Sequence, residues 1–310
     1  MALIHKAPLM LSRRQLIQGA GTVAIAGAGF GGYALAEPFG TLITSYRLTP
    51  PRWTPGLSLR LAVIADLHVC RPWMDVARVE GIVAGVNALK PDCVLLLGDY
   101  VAGHKLSRYA APIAHRDWAG ALGALRAPLG VHAVLGNHDW WEDDTVQQRR
   151  SGPTQAGLAL ANAGITLHQN TSVRLVKDTH AFWLAGLGDQ WAFLPRDDST
   201  DGAFVGVDDL HGTLGQVSDD APVVLMVHEP DIFPDVPERV SLTVAGHTHG
   251  GQVRVFGYAP IVPSKYGSRY VYGHIVEQGR NLIVSGGLGC SVIPVRFGAP
   301  PEIVLIELGA

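Results

Sequence analysis

The sequence predicts an α/β (α+β) protein in which two packed, mainly mixed β-sheets are flanked by helices. Short apolar runs that end abruptly at a polar residue recur along the chain, as buried strands delivering residues to loops do. In the first half they alternate with segments whose apolar residues have helical spacing. From about residue 165 they follow one another with few helices between, the pattern of two sheets with helices outside.

The first run, Leu59 to Ala65, is closed by Asp66. Val76 to Leu89 has helical spacing, and Pro91-Asp92 breaks it before a second strand, Cys93 to Leu97, so the beginning is β-α-β. A helix around Trp118 to Leu125, a strand from Val131 to Leu135 and a helix from Gln155 to Ala163 continue the alternation. Strands are then expected at Val173 to Val176, Ala181 to Leu187, Val223 to Val227, Leu242 to Ala245, Gln252 to Phe256, Leu282 to Ser285 and Ile303 to Leu308. Residues 57–310 show no internal repeat and no linker and read as one domain, preceded by a Pro-rich extended lead-in over 37–56.

Composition narrows the class. The 310 residues are 47% hydrophobic with only 3 Cys, too apolar for a disordered chain and too poor in Cys for a disulfide scaffold. Cys70, Cys93 and Cys290 are scattered, with no C-x-x-C pattern and no deducible pairing. A formal net charge of -3 gives no support for a nucleic-acid surface.

The N-terminus reads as an address. Ser12-Arg13-Arg14-Gln15-Leu16-Ile17 is followed by 22 uncharged residues ending in Ala34-Leu35-Ala36 before Glu37. A basic start, an apolar middle and a small-x-small end make an export signal over residues 1–36, and the paired arginines resemble the twin-arginine signal read by an export machinery. Retention as a membrane anchor is the competing reading, weakened by Gln15, Gln18, Thr22 and the many glycines. Either way the protein is expected outside the cytoplasm, periplasmic or anchored facing the cell envelope. Without these residues, 21 basic side chains face 27 acidic ones, net -6. Gly27 to Gly32 satisfies G-x-G-x-x-G, but no strand precedes it, so a nucleotide site is not expected. The acidic stretch with Asp197, Asp198, Asp201, Asp208 and Asp209 lacks the EF-hand order and reads as a solvated loop.

Five polar clusters each follow an apolar strand: Asp66-Leu67-His68, Gly98-Asp99-Tyr100, Gly136-Asn137-His138-Asp139, His228-Glu229-Pro230 and Gly246-His247-Thr248-His249-Gly250-Gly251. Strands of one sheet end near each other, so their loops can converge on one crevice. Carboxylates, imidazoles and an amide oxygen without thiolate suit Mn, Fe or Zn, and with a bridging Asp they suffice for two ions.

The order D-x-H, G-D, G-N-H-D, H, G-H-T-H resembles that of the calcineurin-like metallophosphoesterase superfamily over nearly the whole chain after the signal. Leu288 to Ser291 and Pro294 to Gly298 add a likeness to its exported bacterial branch. The resemblance implies a four-layer sandwich and a metal-dependent hydrolase of phosphomonoester, phosphodiester or pyrophosphate bonds that uses a metal-bridging hydroxide. It implies that Asp66, His68 and His249 hold one ion, that Asn137, His228 and His247 hold the other, and that Asp99 bridges them. His138 would face the substrate phosphate, stabilising charge or protonating the leaving oxygen. Many members carry G-D-x-x-D, whose second carboxylate orients that imidazole; here Ala102 stands at that position, so its partner is open.

His104, Trp140, Trp141 and Arg296 are further candidates for contact with the substrate, a phosphorylated small molecule or a lipid-linked one. The alternative within the superfamily is a UDP-2,3-diacylglucosamine pyrophosphatase of lipid A synthesis. Outside enzymes, the alternative is a catalytically silent binding protein on the same fold, which would usually have lost ligands. A zinc peptidase would want H-E-x-x-H, which is absent.

Overall fold

The computed structural model describes residues 31–196 and 202–309. In chain order the strands are β1 (Leu42–Leu48), β2 (Leu59–Ile64), β3 (Cys70–Arg71), β4 (Cys93–Leu96), β5 (Ala111–Pro112), β6 (Val131–Ala133) and β7 (Thr166–Leu167). They continue with β8 (Thr171–Lys177), β9 (His180–Gly186), β10 (Val223–Met226), β11 (Leu242–Ala245), β12 (Gly273–Glu277), β13 (Arg280–Val284) and β14 (Glu302–Leu308). The helices are α1 (Val76–Ala88), α2 (His115–Leu122), α3 (Asn137–Trp141), α4 (Asp144–Arg149), α5 (Gln155–Asn162) and α6 (Leu210–Gly215).

One six-stranded sheet has the order β1-β14-β2-β4-β6-β7 and the other β12-β13-β11-β10-β9-β8, with β3 and β5 forming a small ribbon. The central strands β2, β4 and β6 are parallel, as are β9, β10, β11 and β13, while β14 and the edge strands β8 and β12 bring in antiparallel pairs. The strands β2 and β4 are apolar throughout because both faces are buried. Leu61, Val63, Cys93 and Leu95 face the second sheet's Leu184, Val224, Met226 and Val244, whereas Ala62, Ile64, Val94 and Leu96 face the helices.

Helix α1 starts at Asp75, whose side chain accepts from Arg78 N, and it buries Val79, Ile82, Val83 and Val86, spaced by three and four. With Trp118, Leu122 and Leu160 they cover the outer face of the first sheet. The outer face of the second is covered by Phe233, Val236, Tyr270 and the α6 residues Leu210 and Leu214. The result is the four-layer arrangement expected.

Three expectations change. The lead-in contains β1, which pairs in parallel with β14 from Leu42↔Glu302 to Leu48↔Leu308, so it belongs to the folded unit. Gln252 to Phe256 is not a strand: Gln252 and Phe256 have φ of 53° and 51°, and Val253 and Val255 make only isolated bridges. The strand β12 escapes a pattern search because it is a half-exposed edge, tied to β13 through the Gln278-Gly279 turn, with φ of 51° and 76°. All three cysteines are free and buried.

Ser12 to Ile17, most of the apolar run and Asp197, Asp198 and Asp201 lie outside the described residues. Of the acidic stretch, Asp209 caps α6 by accepting from Gly212 N. Among the described residues no helix is long and apolar enough to cross a membrane.

Leu61, fully buried between the sheets, tests this packing: Leu61→Ala is expected to cost about 2–5 kcal/mol. Val176→Ala, on the exposed edge, should stay within about 0.5 kcal/mol. Urea unfolding midpoints would show the difference.

Candidate metal centre

The loops leaving β2, β4, β6, β10 and β11 converge at one edge of the sandwich, at the carboxyl ends of parallel strands. Asp66, His68, Asp99, His247 and His249 all hold left-handed backbone, with φ of 55°, 45°, 56°, 70° and 53°. Each such residue costs on the order of 1–3 kcal/mol and persists only where its surroundings over-determine it. Here they do: Asp66 N donates to Gly98 O at 3.0 Å, His68 N to Asp99 O at 3.0 Å and His247 N to Asp66 Oδ1 at 2.9 Å. A Cβ on Gly136 would lie 2.5 Å from Asp99 Oδ1, and one on Gly246 2.9 Å from Asp66 Oδ2. Only glycine lets these loops close so tightly.

The seven expected ligands come together. Asp66, His68 and His249 form one buried group whose ligand atoms lie within 4.8 Å of one another, and Asp99, His228 and His247 form another. Asn137 Oδ1 joins the second, 3.2 Å from His228 Nε2 and 2.9 Å from His247 Nδ1. Asp99 Oδ2 faces both groups, 3.5 Å from His68 Nε2 and 3.3 Å from His228 Nε2.

Outer contacts aim the imidazoles. His68 Nδ1 donates to Val101 O at 3.0 Å, His228 Nδ1 to Leu97 O at 2.6 Å and His247 Nε2 to Pro263 O at 2.9 Å, which turns the other nitrogen of each ring inward. Burial holds His68 down to about 4 and His247 to about 3, so their inward nitrogens carry lone pairs at neutral pH. Burial also works against charge on His228, yet Asp99 beside it raises its pKa well above the usual value. Asp66 is pushed up to about 7 by burial, with Asp99 adding to the rise. Buried carboxylates that draw protons onto themselves and onto a neighbouring ring mark a place short of positive charge. The residues fit two divalent cations.

Asp99, Asn137, His138, Trp141, Trp191 and His247 line a cleft of about 330 Å³ over this centre. His138 N donates to Asp99 Oδ1 at 2.8 Å. Its Nδ1 lies 3.4 Å from Glu142 Oε1, an oxygen that also accepts from His104 N at 2.9 Å. Glu142, one helical turn beyond His138, thus stands in for the carboxylate missing at Ala102. Burial lowers the His138 pKa, but Asp99 and Glu142 outweigh it, so the ring is raised toward its protonated form. Asp139 serves elsewhere: its two oxygens accept from the N–H groups of Asp99, Tyr100, Val101 and Gly136, tying the Asp99 loop to α3.

Of the remaining candidates, Trp141 lines the cleft and His104 sits exposed at its rim. Two are corrected. Trp140 is 2% exposed and packs edge-on against Phe193, because α3 rotates each residue by about 100° from the last and aims Trp140 inward while Trp141 meets the cleft. Arg296 is wholly buried behind the centre, its guanidinium donating to Gly289 O and Ala299 O and standing 3.2 Å from His249 Nδ1, so it backs a ligand candidate and cannot reach a substrate. Sequence reasoning passed over Trp191, whose ring stands 4.7 Å from that of His247, and the buried Asp189 beneath it, which accepts from Trp191 N at 2.8 Å. Burial and the neighbouring Glu229 carboxyl raise the Asp189 pKa well above the usual range. Glu142 had a signal, its spacing of four from His138; Trp191 and Asp189 had none.

Residues 59–251 match the calcineurin-like phosphoesterase family. The chain belongs to that family. It is 27% identical over 308 residues to the metallophosphoesterase YkuE of Bacillus subtilis, covering 96% of this chain and 98% of that protein. It is 27% identical over 309 residues to the phosphodiesterase YaeI of Escherichia coli, covering 96% and 100%. A metallophosphoesterase of Aquifex aeolicus is 27% identical over 279 residues, covering 90% and 95%. With this membership and the buried donor set, the calcineurin-like phosphoesterase described here is a metal-dependent phosphoester hydrolase with residues for two ions.

Two outcomes follow for this phosphoesterase. Asp66, held near 7 without cation, must lose its proton to ligate. His228, raised by Asp99, must release one as well, so Mn²⁺ affinity should keep rising with pH above 7 and fall at least tenfold per unit below it, as calorimetric titration at several pH values would show. Glu142→Gln should lower kcat on alkyl phosphoesters by about tenfold and on p-nitrophenyl esters far less, since p-nitrophenolate departs without a proton. Steady-state rates on the two substrate types decide it.

Proposed function

We propose that this phosphoesterase hydrolyses phosphodiesters, and related phosphomonoester or pyrophosphate bonds, at the outer side of the cytoplasmic membrane. The observation that carries the reading is the Asp99 carboxylate oxygen facing both donor groups at the floor of an open cleft. A pair of divalent ions held there by Asp66, His68, His249, Asn137, His228, His247 and Asp99 would supply Lewis acidity and activate water near neutral pH. Mn, Fe and Zn all suit the donors.

The chain's own groups complete the chemistry. Asp99 and the carbonyl-anchored imidazoles hold the charge in place. His138, raised toward protonation and 14% exposed at the side chain, offers a proton from the cleft side to the leaving oxygen, with Glu142 holding its other nitrogen. The name of the YaeI relative, a phosphodiesterase, favours the diester.

A second reading is a UDP-2,3-diacylglucosamine pyrophosphatase, which the apolar cleft wall of Trp141, Trp191, Leu194, Phe204 and Val292 favours. The location rests on the S-R-R-x-L-I motif and the uncharged run after it, read as twin-arginine export with cleavage or retention of the segment.

Asp99→Ala should abolish Mn²⁺-dependent hydrolysis of bis-p-nitrophenyl phosphate and lower the metal bound per chain. Rates and elemental analysis on purified protein check both, and a variant with full activity would refute the site.

A further inference from the structure

We propose that an apolar groove beside the metal centre takes the alkyl or acyl chain of an amphipathic phosphoester. The inference rests on the hydrolytic reading above and names the class of alcohol that the substrate carries.

The groove, of about 300 Å³, runs from the metal-ligand candidate His249 past Val253 to Ile261, Val292 and Ile293. Pro263, Ser291 and Val292 line both this groove and the cleft that holds Asp99, Asn137 and His138. The two spaces therefore share a wall, and the groove opens beside the position of a phosphoryl group over the centre. Its boundary is built from uncharged chain: no charged residue occurs from Val255 to Pro263 or from Cys290 to Val295.

The groove's lining, with Val292 and Ile293 half exposed, and the turn that precedes it in the chain expose what a water-facing surface ordinarily hides. Phe256 is fully exposed, Ile261 is 81% exposed and Tyr258 is 67% exposed. Phe256 and Tyr258 stand on a short turn closed by mutual bonds of Val255 and Tyr258 at 2.9 and 3.0 Å, and Ile261 follows it into the groove wall. Exposed apolar side chains in and next to an apolar groove mark a binding surface.

The described end of the N-terminal run indicates what that surface meets. Tyr33, near the end of the 22-residue uncharged run, packs edge-on to Phe297 with ring centroids 5.4 Å apart, and Arg296 N donates to Ala34 O at 3.0 Å. Phe297 in turn bridges Val253 in the groove wall. The described end of the apolar run, residues 31–36, thus joins the domain on the side of the groove, where a bilayer reached by that run would present chain-bearing phosphoesters.

The test uses the full chain with Mn²⁺ and p-nitrophenyl alkyl phosphates from methyl to octyl, below their micellar concentrations. We expect kcat/KM to rise about fourfold per methylene while the chain stays in the groove, and Ile261→Asp and Ile293→Asp to cut the octyl-to-methyl ratio by about tenfold or more. A readout independent of turnover is thermal unfolding: octyl phosphate should raise the Tm where methyl phosphate does not. Chain-dependent Tm shifts without hydrolysis of any ester would sink the hydrolytic reading and leave the groove assigned. Turnover with a flat chain-length profile and equal Tm shifts would overturn the groove. So would an unchanged ratio in both variants together with a dimer in sedimentation that Ile261→Asp breaks, which would assign the groove to a second copy.

Discussion

The Asp99 carboxylate is the interaction on which the rest of the site depends. It leaves the end of a strand in the first sheet and meets His228 from the second, while its other oxygen accepts from the backbone of His138. One buried anion thus joins both sheets, both donor groups and the loop that carries His138. A buried charge of this kind survives only with compensation, and the surrounding rings and backbone N–H groups provide part of it. The remainder is the electrostatic reason the site calls for cations.

The scaffold around Asp99 is stiff because its geometry is costly. Five of the seven ligand candidates sit in left-handed backbone, a conformation that side chains avoid. Tight cross-strand hydrogen bonds, the four N–H groups gathered by Asp139 and the buried Arg296 behind His249 hold them there. Energy invested in the fold is spent on fixing ligand directions in advance, so that cation binding needs little rearrangement.

Around that rigid floor the cleft walls are mostly apolar. Trp141, Phe204 and Trp191 form a stacked series, each pair of rings 5.1 Å apart. With Arg296 withdrawn into the interior, the cleft has no arginine among its described lining residues, and Lys105 is the one lysine there, in keeping with the small net charge of the chain. The walls are therefore free to choose the alcohol.

The sequence by itself determined the two-sheet class, because strands buried on both faces must be apolar throughout and Leu59 to Ala65 or Cys93 to Leu97 can be little else. It also determined the ligand candidates, because chemistry placed at strand ends leaves polar clusters of fixed order. Edges and distant partners were decided only by the tertiary structure. The strands β1 and β12, half solvated, carry no continuous apolar signature. Arg296 and Trp140, whose side chains suit a substrate cleft, were assigned to the interior by packing, while Trp191, with Asp189 beneath it, was brought to the cleft from a segment with no pattern of its own. A side chain's chemistry is written locally, whereas what it faces depends on contacts between residues far apart in the chain.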